Sequence, residues 1–325
     1  MKRRRLFALA SAVGLSALMA ASSAQAADMK SVKITAIVEH PALDAARMGI
    51  QDELAEQGFK VGETLEWEFQ SAQGDVGTAG QIARKFVGDG PDVIVAIATP
   101  SAQAAAASAR GTIPVVFSAV TDPVGAKLVK SWEAPGGPVT GVSDIVPMKK
   151  HLALIKEILP GAKVIGMPHN PGEANAVALV ELAKQVAPEL GLEIITASAP
   201  SSGDVLMATR SLVGKADALY ISTDNTVVSA FESVVKVGQD AQLPVFAGDT
   251  DSVGRGAIAA VGFDYYDVGR QTGRMVARVL KGENAADIPV EGVDKVNLFV
   301  NLGAAKAMGV TLPEAVLQRA SKVIE

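Results

Sequence analysis

Residues 93–101 read VIVAIATPS, an apolar run that ends in small polar residues and leads into an alanine-rich stretch. Short runs rich in Val, Ile and Ala, without polar alternation, are typical of parallel strands buried on both faces. In open α/β sheets the carboxyl ends of such strands meet at a ligand crevice. Five further runs share this layout: ITAIVEHP (34–41), VVFSAVTDP (115–123), KVIGMPHNPGE (163–173), ALYISTDNT (218–226) and PVFAGDTDS (244–252). The six polar ends therefore predict a binding site between strand ends.

The pattern of strand and helix runs twice along the chain, which predicts an α/β protein with two doubly wound parallel-sheet lobes. A helix expected over residues 267–280 is not needed by the second sheet, so the chain is predicted to return to the first lobe. The predicted boundaries are residues 28–143 plus 256–283 for lobe 1, and 144–255 plus 284–325 for lobe 2. Several crossings restrict motion to a hinge, and Gly254 and Gly256 are its expected bending points.

The first 26 residues have the organisation of a cleavable export signal. Residues 2–5 are basic, residues 6–21 are largely apolar, and residues 24–26 form an A-x-A cleavage site. The chain has no cysteine, so it lacks the residue that a lipoprotein anchor would need. We therefore expect a free monomer in the periplasm of a two-membrane bacterium.

Composition excludes several classes of function. Removal of residues 1–26 takes away four basic residues and leaves 26 Lys and Arg against 35 Asp and Glu, a net charge of −9. Nucleic-acid binding is disfavoured, because it depends on clustered basic residues and none occur after residue 26. Without cysteine there are neither disulfides nor thiolate chemistry. The three histidines lack metal-ligand spacing and no common nucleotide or hydrolase motif occurs, so no catalytic, metal or cofactor site is predicted.

The segment from Thr99 to Ala102 suits a carboxylate. Free N–H groups at a helix start attract anions, the hydroxyls of Thr99 and Ser101 add two donors, and small side chains such as Ala102 leave room for close approach. The alternative is structural: Thr99 as the N-cap, with Pro100 at the first helical position, would satisfy the same donors internally.

The remaining polar strand ends divide between helix caps and ligand contacts. Asp122 and Asn170 are assigned to caps, and Asn170 has the spacing of a capping box with Glu173. The aromatic residues Phe117, Phe263, Tyr265 and Tyr266 are assigned to the core. Residues expected to face the cleft are His40, Thr121, Glu173, Asn175 and either Asp224 or Asn225.

Asp249 and Asp251 place two carboxylates at one strand end without a neighbouring lysine, and a ligand ammonium group would complete them. One alternative is a solvated turn in which Asp251 caps a short helix. Another is a phosphatase of the haloacid dehalogenase type, with Asp249 as nucleophile and Asp251 as acid or base. That motif belongs on an early strand, whereas here it lies near the end of the second series. Together with the helix start at Thr99, the carboxylates favour a zwitterion such as an amino acid.

Seven segments are spaced along nearly the whole chain: residues 38–44, 118–126, 135–142, 170–175, 223–227, 249–253 and 301–320. Together they resemble the ABC-transporter substrate-binding proteins typified by tryptophan- and tyrosine-type components. His169 and Ala176 depart from the family pattern, in which Tyr and Ser are expected at these positions.

The resemblance implies a type I periplasmic binding fold, an ABC permease and ATPase as partners, and in some members an aromatic amino acid ligand. The expected mechanism is hinge closure, in which the ligand bridges the two lobes and the permease recognises the closed form. A ligand sensor that presents its closed form to a membrane receptor remains an alternative at this point.

Overall fold

The computed structural model describes residues 29–293 and 296–325 and contains two sheets flanked by helices. The predicted signal at residues 1–26 lies outside the described residues. The two-lobe α/β architecture expected from the sequence is confirmed. Over the described part of the chain, no helix combines the length and the apolar character needed to cross a membrane.

The first βα series builds most of lobe 1. Its central strand has all five residues buried, as the apolar run predicts. All strand pairs of this series are parallel. The elements are β1 (Lys30–Ala36), α1 (Pro41–Glu56), β2 (Leu65–Ser71), α2 (Val76–Asp89), β3 (Val93–Ile97), α3 (Thr99–Ala109), β4 (Val115–Ser118) and β5 (Val139–Ser143).

The second series builds lobe 2 with the same alternation. The elements are α4 (Met148–Ile158), β6 (Val164–His169), α5 (Ala174–Val186), β7 (Glu193–Ser198), α6 (Val205–Arg210), β8 (Ala218–Ile221), α7 (Asn225–Ser229), α8 (Phe231–Ala241), β9 (Val245–Ala247), α9 (Asp251–Gly254) and β10 (Ala259–Gly262). Short 3-10 helices at Ala187–Leu190 and Ser202–Asp204 precede β7 and α6.

The last part of the chain serves both lobes. Its elements are α10 (Tyr265–Leu280), a 3-10 helix (Ala285–Asp287), β11 (Glu291–Gly292), β12 (Asn297–Asn301), α11 (Leu302–Ala307), α12 (Glu314–Arg319) and β13 (Lys322–Ile324). The sheet orders are β11-β5-β4-β3-β1-β2 in lobe 1 and β13-β12-β10-β9-β8-β6-β7 in lobe 2. β12 runs antiparallel to β10.

Two segments belong to the other lobe from the one expected. β10 pairs with β9 and β12, so residues 256–262 lie in lobe 2, and the return to lobe 1 begins only with α10. β11 pairs with β5, so the chain is still in lobe 1 at residue 292. A short apolar run fits either sheet, and only its hydrogen-bond partners decide between them.

The chain therefore crosses between lobes after β5, after β10 and after β11. Gly254 and Gly256 lie between α9 and β10, inside lobe 2 and not at a crossing between the lobes. The chain crosses back to lobe 1 only after β10, several residues beyond these glycines.

Helix α10 packs against α1 through glycines that allow their backbones to touch. A Cβ atom on Gly269 would clash with the backbone of Ala46, and one on Gly49 with the backbone of Tyr266. Because these neighbours are backbone atoms, rotamer changes cannot relieve the clash. Close packing of α10 on α1 therefore requires glycine at both positions.

Gly269→Ala is expected to destabilise the protein by about 3 kcal/mol, at the upper end of typical overpacking costs. Gly88→Ala is the matched control: Gly88 is exposed in α2 and a Cβ there meets nothing within 4 Å. That change should stabilise the protein by about 0.5–1 kcal/mol. Urea unfolding followed by circular dichroism measures both, and equal effects of the two substitutions would contradict the packing described.

Candidate functional site

A cavity of about 320 Å³, its mouth included, lies between the carboxyl ends of the two sheets. Every polar residue that lines it follows the end of a strand, as the sequence pattern predicts. The lining comprises His40, Ala42, Leu43, Ala119 and Thr121 from lobe 1, Asp144 and Tyr265 at two crossings, and Asn175, Thr223, Asn225, Val228 and Asp249 from lobe 2.

The two crossings meet in a hydrogen-bonded cluster. Tyr265 donates its hydroxyl hydrogen to Oδ2 of Asp144 (2.6 Å), and Thr121 Oγ1 donates to Oδ1 (3.1 Å). Burial raises the pKa of Asp144 above its usual value, although the two hydrogen bonds oppose the shift. Sequence reasoning missed Asp144 and placed Tyr265 in the core. The position of both residues just after a strand was the available signal.

Asp249 supplies a second buried carboxylate. It is 2% exposed and accepts hydrogen bonds from Ser252 N (2.8 Å) and Ser252 Oγ (2.7 Å). Burial raises the pKa of Asp249, and the negative charge of Asp249 in turn helps to raise the pKa of Asp144. None of the described residues that line the cavity is Lys or Arg. The described lining therefore holds two neighbouring acidic groups and no lysine or arginine, although the positive charge of Arg255, which pairs with Glu232 outside the lining, lowers the pKa of Asp249.

Asp251 does not line the cavity, contrary to expectation. It begins α9, and its Oδ2 is buried without a partner among the described groups. Burial and repulsion from Asp249 raise the pKa of Asp251 to about 6. Of the two, only Asp249 lines this cavity.

Asp224 is a helix cap and does not line the cavity. Its Oδ1 accepts from Val227 N (3.0 Å) at the start of α7, and its Oδ2 accepts from Asn170 N (2.6 Å). Burial and the nearby carboxylate of Glu173 raise the pKa of Asp224. Of the two residues expected to face the cleft, Asn225 lines the cavity and Asp224 does not.

Glu173 lies behind the cavity wall and lines a neighbouring groove instead. Its carboxylate accepts from the side chains of Asn225 (2.5 Å) and Asn175 (3.3 Å), both of which line the cavity. The expected capping box with Asn170 is absent from this part of the described structure, because Glu173 is itself the N-cap of α5 and makes no side-chain cap. Asn170 instead closes a turn by accepting from Gly172 N (2.8 Å).

The start of α3 is buried and does not belong to the lining of the cavity. Ala98, at φ +72°, takes the N-cap position, so Thr99 becomes the first helical residue and does not cap. Neither Thr99 Oγ1 nor Ser101 Oγ has a hydrogen-bond partner in the described structure. Ala102 is fully buried one turn into the helix. The backbone N–H of Ala98 donates to Ser118 O (2.9 Å), immediately before the cavity residue Ala119.

His40 lines the cavity as expected. It precedes α1 without capping it, and its Nδ1 is buried with no partner among the described residues. Burial lowers the pKa of His40 to about 3, so the imidazole is neutral at physiological pH. The side chain therefore offers hydrogen bonds without adding charge.

Residues 29–293 and 296–325 contain no group of three His, Asp or Glu side chains arranged to hold a metal ion. The polar groups of the cavity are instead acidic or neutral. Such a lining suits an organic ligand that brings its own positive charge.

Residues 31–324 match a family described as ABC transporter substrate binding protein. A tyrosine-binding protein of Clostridioides difficile strain R20291 is 42% identical over 279 residues, which are 86% of this chain and 81% of the relative. An ABC domain in complex with L-Trp from Streptococcus pneumonia is 37% identical and has a TM-score of 0.88, over 91% of this chain and 100% of that one. The ligand-free, open structure of a substrate binding protein with adhesive properties from Clostridium difficile is 41% identical. Its TM-score is 0.68, over 91% and 99% of the two chains.

Proposed function

Because the chain belongs to the ABC transporter substrate binding protein family, we propose that it delivers an aromatic L-amino acid to an ABC importer of the inner membrane. The observation that carries the proposal is the pair of buried carboxylates, Asp144 and Asp249, in a cavity whose described lining has no cation. The names of the relatives support the aromatic class of ligand.

The ligand ammonium binds at Asp249 and Asp144. Buried charges are costly unless paired, and these two neighbouring carboxylates repel each other. An ammonium group supplies three N–H donors and one positive charge, so it relieves the repulsion and forms charge-assisted hydrogen bonds.

The ligand carboxylate binds at the start of α3. This helix has eleven residues, its N-cap residue makes no side-chain cap, and two hydroxyls near its start are buried without partners. A carboxylate accepts from such hydroxyls and from free backbone N–H groups, and the helix dipole stabilises its charge. The ring then packs against apolar lining residues such as Leu43 and Val228.

Closure of the lobes holds the ligand. The chain superimposes better on the L-Trp complex than on the open structure, although its identity to the latter is higher. The hydrogen bond from Tyr265 to Asp144 joins two of the three crossings, so ligand contact with Asp144 acts on the segments that bend. The predicted signal at residues 1–26 supports a periplasmic location for this closed form, and the permease is the proposed partner that recognises it.

A thermal-shift series on the purified mature protein tests this function. L-Tyrosine, L-tryptophan and L-phenylalanine are compared with tyramine, which lacks the carboxylate, and with 3-(4-hydroxyphenyl)propionate, which lacks the ammonium. A ligand at a thousandfold excess over its Kd stabilises by about 4 kcal/mol, which raises Tm by several degrees. We expect the largest rise with a complete aromatic amino acid. Two results would overturn the proposal. Either both truncated analogues raise Tm as much as the complete amino acids do, or no amino acid raises Tm.

Acidification is expected to weaken the binding of L-tyrosine. Burial raises the pKa of Asp144 and Asp249, and an ammonium ligand requires them ionised. Affinity is therefore full above the raised pKa values and falls by about tenfold per pH unit below the pKa of the carboxylate that titrates first. Titration calorimetry from pH 8 downward, over the pH range in which circular dichroism shows the protein folded, measures this. The affinity of 3-(4-hydroxyphenyl)propionate should not fall over this range, and a parallel loss for both compounds would contradict the ammonium assignment.

A further inference from the structure

We infer that Glu173 positions Asn175 so that the Asn175 carbonyl oxygen accepts a hydrogen bond from the ring of the ligand, the phenol O–H of tyrosine or the indole N–H of tryptophan. Glu173 is thus a positioning residue, and Asn175 is a specificity-determining contact. The inference rests on the proposed function and adds which aromatic amino acids the site selects.

Every partner of the Glu173 carboxylate is a donor. Oε1 accepts from Thr226 N (3.0 Å) and Thr226 Oγ1 (2.6 Å), and Oε2 accepts from Asn225 N (3.2 Å), Asn225 Nδ2 (2.5 Å) and Asn175 Nδ2 (3.3 Å). Thr226 Oγ1 already accepts from Asn170 Nδ2 (2.8 Å), which leaves its hydrogen for Glu173. Glu173 is 4% exposed, and five donors occupy the two oxygens of its carboxylate. It holds its neighbours in place and has no free side toward the cavity.

The orientation of the Asn175 amide follows from chemistry. Its Nδ2 lies between Glu173 Oε2 (3.3 Å) and the backbone carbonyl of Thr223 (3.0 Å). A backbone carbonyl can only accept, so the NH₂ group and not the oxygen must face it, and both amide hydrogens are used. Oδ1 remains, buried and without a partner in the described structure, on a residue that is 3% exposed and lines the cavity. The site therefore presents an unpaired neutral acceptor.

The ring donor fits this acceptor better than the ammonium does. Asn175 belongs to a hydrogen-bonded cluster with Glu173, Thr223 and Asn225, and no hydrogen bond among the described residues joins that cluster to Asp144 or Asp249. The two carboxylates attract the ammonium by charge, and the ligand carboxylate is attached to the same carbon atom. The amide oxygen, which is neutral and takes a single donor, remains for the side chain.

An unpaired buried acceptor disfavours ligands whose ring has no hydrogen-bond donor. Phenol O–H and indole N–H are both donors, whereas the phenylalanine ring has none and would leave Oδ1 buried and unpaired. Sites that hydrogen-bond a ligand group discriminate strongly against analogues without it. Wild-type protein is expected to bind L-tyrosine and L-tryptophan at least tenfold more tightly than L-phenylalanine.

Calorimetric Kd values for these three amino acids, measured on wild type, Asn175→Ala, Glu173→Gln and the double variant, test the inference. Asn175→Ala should reduce the tenfold preference to threefold or less, with L-phenylalanine affinity nearly unchanged. Glu173→Gln should reduce the same ratio, because an amide at residue 173 offers a donor toward Asn175 and releases its orientation. The double variant should match Asn175→Ala, because Glu173 acts through Asn175. Glu181→Gln, at an exposed ion pair with Lys184, is the matched control and should change nothing.

The ratio of the Kd for L-phenylalanine to the Kd for L-tyrosine or L-tryptophan distinguishes a positioning role of Glu173 from a purely structural one. If Glu173→Gln does not fold by circular dichroism, Asn175→Ala alone decides the inference. Equal weakening of all three amino acids in Asn175→Ala, additive losses in the double variant, or a wild type that does not discriminate would each overturn it while leaving the proposed function intact. Failure of wild type to bind any of the three overturns both.

Discussion

Asp249→Asn is expected to weaken the binding of L-tyrosine by at least two orders of magnitude. Loss of one member of a buried, hydrogen-bonded charge pair costs about 2–5 kcal/mol of binding free energy, and 2.7 kcal/mol corresponds to a hundredfold. Asparagine keeps the shape and can still accept from Ser252 N, so the local fold should survive. Titration calorimetry at pH 7.5 measures the change.

Asp251→Asn is the matched control for that variant. It makes the same chemical change two residues away, on a side chain that does not line the cavity, and should alter affinity by less than threefold. Equal losses at both positions would mean that general negative potential attracts the ligand. In that case direct contact between Asp249 and the ammonium would be ruled out.

Ser101→Ala is expected to weaken L-tyrosine by about 10- to 100-fold. A hydrogen bond to a charged group contributes about 1.5–3 kcal/mol, and Ser101 Oγ is buried without another partner in the described structure. Tyramine has the same ring and ammonium but no carboxylate, so the substitution should leave its affinity within threefold. Calorimetry with both compounds measures the difference.

Ser108→Ala is the control for this second substitution, because it removes a hydroxyl from the same helix, two turns further along. It should leave the affinity for both compounds unchanged. A loss of tyramine binding in Ser101→Ala equal to the loss of L-tyrosine binding would exclude the start of α3 as the carboxylate site.

The sequence was informative wherever local chemistry decides the structure. Apolar runs such as residues 93–97 favour parallel strands covered on both faces, and β3 is buried throughout. Polar ends of strands converge because parallel strands share a carboxyl edge, so His40, Thr121, Asn175, Asn225 and Asp249 meet at one cavity.

The roles of the other site residues depend on hydrogen-bond partners that are distant in the sequence. Glu173 follows a strand end, and its position in the sequence predicts a ligand contact. Its carboxylate instead accepts hydrogen bonds from residues 225 and 226. Asp144 follows β5 like the other site residues, but its role depends on Tyr265, 121 residues away. Neither of these hydrogen-bond contacts can be predicted from the local composition or periodicity of the sequence.

Lobe membership of the last part of the chain was unpredictable for a related reason. β10 is a four-residue run without a distinctive pattern, and β11 has only two residues. Such short strands are stabilised by the strands with which they pair, so only the pairing of β10 with β9 and β12, and of β11 with β5, assigns them to a lobe.

A crystal structure of the mature protein with L-tyrosine tests the central claim most directly. The account predicts one amino acid enclosed between the lobes, with its ammonium within hydrogen-bond distance of Asp249 and Asp144 and its carboxylate at Ser101. A ligand bound on an outer face, or one enclosed with its carboxylate against Asp249, would contradict it.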